Sequence, residues 1–354
     1  GLRAMFLVRL AAALAGLAAA NPATAQYWAT RDVCDVQKLR IDPAVISQEE
    51  LAALRTDASL IPNSTGNYWK ITAPSGAVSF LWGTIHSTDP LVLNLPLPVE
   101  AQVRKARVAA FEADFIPATR RLLEYNRSAP GFLRSYRAGL QDFDLPPEVE
   151  GWIQSRLIGL GWGEDAAGFL TPGGLAELML LHPCDDFAAG IYPTQDAFLQ
   201  TLAAIGGARI LGLEPPDRLR KRLNNPKDAD LARDFVRLYA GYLSPDLSEA
   251  GNATAFSLYL NGENGTALLF ERRGLSAYWG ASEGPALQDR VNAYLLDERN
   301  QVFVEGLLNE LPEGGVFAAV GSWHLPGENG LVSLLRAEGY QVERILLDRE
   351  SPSP

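Results

Sequence analysis

Histidine is scarce in this chain, which has three among its 354 residues. Two of them close the same local device, an apolar run ending in Gly-x-x-His. The first copy is Phe80-Leu81-Trp82-Gly83-Thr84-Ile85-His86, and the second, near the other end, is Val316-Phe317-Ala318-Ala319-Val320-Gly321-Ser322-Trp323-His324. Two further apolar runs end on a carboxylate: Val108-Ala109-Ala110-Phe111 leads into Glu112, and Ile210-Leu211-Gly212-Leu213 leads into Glu214. Imidazole and carboxylate are the side chains that bind borderline divalent metals and that move protons near neutral pH. His86, His324, Glu112 and Glu214 are therefore the candidate chemical groups.

The elements that must carry them read as strands. Tyr68–Ile71 and Val78–Trp82, separated by Pro74-Ser75-Gly76, form a predicted β-hairpin whose second strand delivers His86. After the Pro96-Leu97-Pro98 turn come a short helix over about 99–105 and the strand that ends at Glu112, a β-α-β unit of the kind that builds parallel sheets. The tail repeats this order: the strand ending in Gly321-x-x-His324, a turn, a helix over about 330–337 and a strand over 342–347. An internal duplication is inferred. Each Gly three residues before its His lets the backbone bend sharply or approach another chain closely.

Between the halves the apolar spacing is helical over about 117–207 and 228–311, the second block broken at Asn261-Gly262-Glu263-Asn264-Gly265. Residues 26–66 read as an irregular lead-in. The predicted fold class is α/β: a central, mainly parallel sheet built from two strand–GxxH–helix–strand repeats, flanked by helices, with long helical insertions, all in one domain over 26–354. In such sheets ligands bind outside the carboxyl ends of the strands, so four strand ends would bring two imidazoles and two carboxylates to one cleft. Plainer roles compete: Glu214 suits the start of a helix near Pro216, Asp89 reads as a turn residue, His182 as structural, and Trp152, Trp162 and Phe169 as core.

A formal charge of −11 argues against nucleic acid and anionic membranes as partners. Residues 1–25 carry Arg3 and Arg9, an apolar stretch over Leu10–Ala20 and Ala23-Thr24-Ala25 before Gln26, and read as a secretory signal cleaved after Ala25. The expectation is an exported protein, periplasmic or secreted, with no stable membrane insertion after cleavage. Cys34 and Cys184 both lie beyond the cleavage point, where a structural disulfide or inert thiols are favoured over a catalytic thiol.

Taken together, Leu81-Trp82-Gly83-Thr84-Ile85-His86, Phe111-Glu112-Ala113-Asp114, Leu211-Gly212-Leu213-Glu214, Asp297-Glu298-Arg299-Asn300 and Gly321-Ser322-Trp323-His324-Leu325-Pro326-Gly327 resemble the TraB/PrgY/GumN family. That family is similar to the animal TIKI metalloproteases and, more distantly, to erythromycin esterases and haem-binding ChaN proteins. The resemblance implies a metallohydrolase site at His86, His324 and Glu112, with Glu214 and the Arg299-Asn300 pair at further recurrent positions. Trp323 departs from the small residue the family commonly places before the second His.

On this reading a divalent ion (Mn²⁺, Co²⁺ or Zn²⁺) is held by the two histidines and a carboxylate. Whichever of Glu112 and Glu214 is not a ligand serves as general base. Arg299 stabilises an oxyanion or holds a carboxylate, and the substrate is a peptide or a small acyl compound. The alternatives are a metal-independent esterase using His and Glu, and a non-catalytic protein that binds a peptide or haem.

Overall fold

The computed structural model describes residues 31–114, 143–187, 193–244 and 248–350. The inferred leader and the first part of the 117–207 insertion lie outside the described residues.

Six strands form one sheet: β1 Tyr68–Thr72, β2 Val78–Thr84, β3 Val108–Phe111, β4 Arg209–Gly212, β5 Val316–Gly321 and β6 Gln341–Arg344, in the order β4-β3-β5-β2-β1-β6. β4, β3, β5 and β2 are mutually parallel, and β1 is antiparallel to both β2 and β6. The hairpin and the mainly parallel sheet are as the sequence predicts. The four strands expected to end in chemical groups are the four adjacent parallel ones.

β3 and β5 lie inside the sheet and are buried along their whole length. This accounts for their unbroken apolar runs, because a central parallel strand is covered on both faces. The period-2 alternation sorts their side chains. Val108, Ala110, Ala318 and Val320 face α11 (Arg299–Leu308) and α12 (Leu331–Ala337), through Phe303, Leu307, Leu331 and Leu335. Ala109, Phe111, Phe317 and Ala319 face α2 (Leu97–Lys105) and α5 (Gln195–Ile205), through Val99, Val103, Leu199 and Leu202.

The insertions build a second, all-helical core. It joins α3 (Pro147–Gly159), α4 (Pro172–Met179), α7 (Ala229–Ala240) and α10 (Glu283–Asn292) around Ile153, Leu178, Phe235 and Leu287. α6 (Arg218–Leu223) comes after β4, while α8 (Glu249–Leu260) and α9 (Asn264–Trp279) meet at Asn261–Glu263, so the expected turn over Asn261–Gly265 is shorter and its last two residues are helical. Among the described residues no helix is long and apolar enough to cross a membrane.

Three expectations need correction. Phe169, read as core, is exposed. The lead-in is not irregular throughout, for α1 spans Gln48–Ala58, with the Ser47 hydroxyl accepting from the Glu50 amide. Ser47-Gln48-Glu49-Glu50 has the S-x-x-E form of a capping box, a start signal that the mostly polar composition of this helix obscured. The last strand stops at Arg344 rather than running to Leu347.

Cys34 and Cys184 form a disulfide that ties a short N-terminal turn to the first insertion. Its loop of 150 residues restricts the unfolded chain. Such a closure is worth about 4–5 kcal/mol in the chain-entropy account.

Candidate active site

The parallel register sets Thr84 beside Gly321 and Gly83 beside Val320, so the two Gly-x-x-His turns leave the sheet side by side. A Cβ on Gly83 would come within 2.9 Å of Leu325 Cδ1 and 3.0 Å of Ser322 Cα. Only a residue without a side chain lets the two turns approach this closely. Both histidines lie on the wall of one cavity of about 920 Å³, as do Arg299 and Trp323, whereas Glu112 and Glu214 do not reach it. The cavity walls are largely apolar and include Leu238, Leu258, Phe270, Leu295 and Leu296 from the insertions.

Glu112, Glu214, Arg299 and His324 are all buried. Arg299 spans the two strand-end carboxylates. Its Nη2 donates to Glu112 Oε1 at 2.7 Å and to Glu214 Oε1 at 2.6 Å, its Nε donates to Glu214 Oε1 at 2.9 Å, and its Nη1 donates to the Leu295 carbonyl at 3.2 Å. Arg218 adds a second cation at Glu214 Oε2, 3.1 Å away. Glu112 Oε2 accepts the Gly321 amide at 3.2 Å. Burial works to raise the Glu112 pKa, yet the Arg299 charge and the His324 contact hold it well below the usual carboxylate range. Glu112 is therefore ionised at neutral pH.

Arg299 owes its placement to an irregularity. Residues Ala293–Glu298, between α10 and α11, form a π-helical turn with Tyr294, Leu295 and Leu296 buried, and Arg299 comes immediately after. An extra residue in a helical turn rotates the downstream part of the helix relative to the upstream part, and such turns recur at functional sites. Glu214 is not a helix cap. α6 begins at Arg218, and the Glu214 carboxylate turns to Arg299 and Arg218.

His324 sits on a 3₁₀ turn, Ser322–His324. Its Nδ1 lies 2.7 Å from Asn300 Oδ1, and Asn300 Nδ2 donates to the Asn329 carbonyl at 2.9 Å, so the amide oxygen is the atom that faces the ring. That oxygen accepts a proton on Nδ1 and leaves a lone pair on Nε2, which faces Glu112 Oε1 at 3.3 Å. The ring also meets the edge of Phe303, centroid to centroid 5.0 Å. Burial pushes the His324 pKa down to about 4, against the pull of Glu112.

His86 is about one-tenth exposed, and burial lowers its pKa as well. Its Nδ1 lies 3.1 Å from Asp196 Oδ2 but outside hydrogen-bond geometry, and among the described residues neither ring nitrogen has a hydrogen-bond partner. Asp196, in the first turn of α5, has no place among the residues expected from sequence. A carboxylate in an initial helical turn reads as complementing the helix dipole, which hides any second role. Nor does the sequence place His182 at this site, yet all three histidines line the cavity. The His182 Nδ1 accepts the Cys184 amide at 3.1 Å. Asp89, expected as a turn residue, instead caps the short helix Pro90–Leu93, its Oδ1 accepting the Leu91 amide.

The donor chemistry fits a divalent cation. His86 presents a buried, unpartnered ring, and a neutral His324 faces an ionised carboxylate. Two ligands about 2.0–2.2 Å from one tetrahedral ion stand roughly 3.3–3.5 Å apart, the spacing found between His324 Nε2 and Glu112 Oε1. Among the described residues, however, no three His, Cys, Asp or Glu side chains form a ready-made metal cluster. His86 would have to close on the other two.

The architecture is thus an α/β sheet with two histidine turns and a charge-balanced carboxylate cluster at its carboxyl edge. Residues 67–344 match the family model for the TraB/PrgY/gumN family. The chain belongs to that family. No curated protein and no solved structure gives a significant match.

Proposed function

We propose that this chain is an exported metal-dependent hydrolase that cleaves a peptide or other acyl bond in the cavity between its two Gly-x-x-His turns. The observation that carries the reading is the pair of imidazoles on one cavity wall, one with both nitrogens buried and unpartnered, the other facing the Glu112 carboxylate.

His86, His324 and Glu112 would hold the ion, with Mn²⁺, Co²⁺ and Zn²⁺ suited to this mixed nitrogen and oxygen set. Such an ion, when bound, supplies polarisation of the scissile carbonyl and activation of water near neutral pH. The chain supplies the rest. Burial keeps both imidazoles neutral and able to donate a lone pair. Arg299 keeps Glu112 ionised and fixes one of its oxygens, while the Gly321 amide fixes the other. Four hydrogen bonds to Glu112, Glu214 and Leu295 engage Arg299, so it acts on the carboxylates rather than on the substrate. Glu214, off the cavity and paired with two arginines, serves as the counter-charge that keeps Arg299 in place. The apolar walls exclude bulk water and seat the apolar portion of the substrate.

The carboxylate behind His86 favours a second reading, in which His86 acts as a general base without metal. Metal analysis of purified mature protein beside His86→Ala and His324→Ala, with hydrolysis of a quenched fluorescent peptide library before chelation, after it and after metal is restored, separates the two. The metal reading expects bound ion in the wild type alone and activity that tracks its removal and return. Equal metal in all three proteins would overturn it, and activity indifferent to chelator would favour the metal-free base.

A further inference from the structure

We infer that Asp196 is a positioning residue that sets the tautomer and direction of His86, with Thr84 holding Asp196 in turn. The inference rests on the reading of His86 as a working imidazole, but its geometry is independent of which ion is bound.

The start of α5 is built against the first Gly-x-x-His turn by three consecutive buried residues. Thr194 caps the helix, its hydroxyl accepting the Ala197 amide. Gln195 grips the turn from several sides: its backbone amide donates to the Ser87 carbonyl at 3.1 Å, its side-chain oxygen accepts Trp82 Nε1 at 3.1 Å, and its Nε2 donates to the Val92 carbonyl at 3.1 Å. Tyr259, also within 3.3 Å of the Gln195 oxygen, donates to the Gly83 carbonyl at 2.6 Å. The backbone on both sides of His86 is pinned before Asp196 is considered.

Asp196 does not cap its own helix, since Thr194 already does. Its Oδ1 accepts the Thr84 hydroxyl at 2.9 Å, and its Oδ2, buried and without a hydrogen bond, lies 3.1 Å from His86 Nδ1. A buried carboxylate is costly unless its oxygens are satisfied. The positive end of α5 and the Thr84 hydroxyl offset part of that cost. Among the described residues the His86 ring is the neighbour placed to satisfy the remaining oxygen, with Nδ1 within hydrogen-bond distance of it. Catalytic hydrogen bonds are often this loose before a ligand is bound.

With the proton on Nδ1, Nε2 carries the lone pair. Ligating histidines elsewhere show this arrangement, the far nitrogen donating to a carboxylate or carbonyl. His324 has the same polarity with Asn300 in place of Asp196, so each histidine has an acceptor from a different helix beside its Nδ1.

Two readouts test this on the full mature protein. The first is the tautomer of His86 in metal-free protein at slightly alkaline pH, read from long-range ¹⁵N–¹H correlations. Three histidines make the spectrum assignable, with His86→Ala identifying its signals. The wild type is expected to show the Nδ1–H form, and Asp196→Ala to shift toward the Nε2–H form that free imidazole side chains prefer. The second is Co²⁺ affinity, expected to fall about 10–100-fold in Asp196→Ala, the usual cost of removing such a partner.

Thr84→Val keeps the carboxylate, removes its anchor and covers the case in which Asp196→Ala does not fold; its Co²⁺ affinity is expected to fall in the same direction by a smaller factor. An unchanged tautomer together with affinity within twofold of wild type in whichever variants fold would overturn the proposal. If the wild type binds no divalent ion, the metal reading fails and the tautomer decides alone: loss of the Nδ1–H form supports Asp196 as the positioning residue, and its persistence refutes it.

Discussion

The two Gly-x-x-His turns share a sequence pattern and a strand end but not an environment. His86 is held from the insertion side: a helix start grips its turn, a carboxylate stands behind its ring, and both nitrogens are buried without a hydrogen bond among the described residues. His324 is held from the sheet side, packed on Phe303, bonded to Asn300 and facing a carboxylate already engaged by Arg299. A repeated motif thus yields two histidines on one cavity wall, one bonded into a buried network and one whose ring makes no hydrogen bond among the described residues. The pattern places an imidazole; what packs behind the imidazole decides what it can do.

The largest expected effect tests the cluster behind His324. Arg299→Ala leaves two buried carboxylates without their shared cation and should cost about 3–5 kcal/mol of stability by denaturant titration. Adding Glu214→Gln should recover part of that loss. An additive double mutant would show that the charges do not act as a unit.

The histidines themselves come next. His324→Ala removes the contact with Phe303 and strands the Asn300 oxygen, at about 2–4 kcal/mol. His86→Ala removes a neutral ring that makes no hydrogen bond among the described residues but leaves Asp196 Oδ2 without a neighbour, at about 1–2 kcal/mol. Under the proposed function both abolish activity, so the pair should separate in melting temperature while agreeing in turnover. Equal destabilisation would erase the asymmetry between the two turns.

Gly83→Ala probes the contact between the halves. Its new methyl meets Leu325 and Ser322 of the second turn, and overpacking there should cost about 1–3 kcal/mol. Gly151→Ala, where an added Cβ meets nothing within 4 Å in the helix α3, is the control and should stabilise by about 0.5–1 kcal/mol.

A slope rather than a step is expected in the pH dependence. His324 is held near 4 in the folded chain, below its unfolded value of about 6.5. Above about 6.5 neither state is protonated at this residue and its contribution is constant. As pH falls from about 6.5 toward 4 the unfolded state binds the extra proton, so stability drops by at most about 1.4 kcal/mol per pH unit from this residue. His86, lowered in the same direction, adds to the slope. In metal-free protein His324→Gln should show a shallower acid limb than the wild type, and an identical limb would place the proton uptake elsewhere.

Much of the fold was legible because central parallel strands are buried on both faces and must be written as unbroken apolar runs. Val108–Phe111 and Val316–Val320 are such runs, and their exits named Glu112 and His324. The histidines stood out because so few exist. Asp196 was not legible, since a carboxylate in the first turn of a helix already has an ordinary electrostatic reason to be there. Glu214 was legible as a residue and Arg299 as an oxyanion or carboxylate partner, but not the pairing of the two, because that bond spans most of the second insertion and depends on a π-helical turn with no distinctive sequence.

The sequence by itself determined the parallel strands, their order of appearance and the chemical group at each exit, since burial and alternation are local demands written into residue types. Only the tertiary structure decided which strands are neighbours and which charges meet. It alone set the acceptor behind each ring, Asp196 or Asn300, because these contacts join residues far apart in the chain through packing that no local pattern encodes.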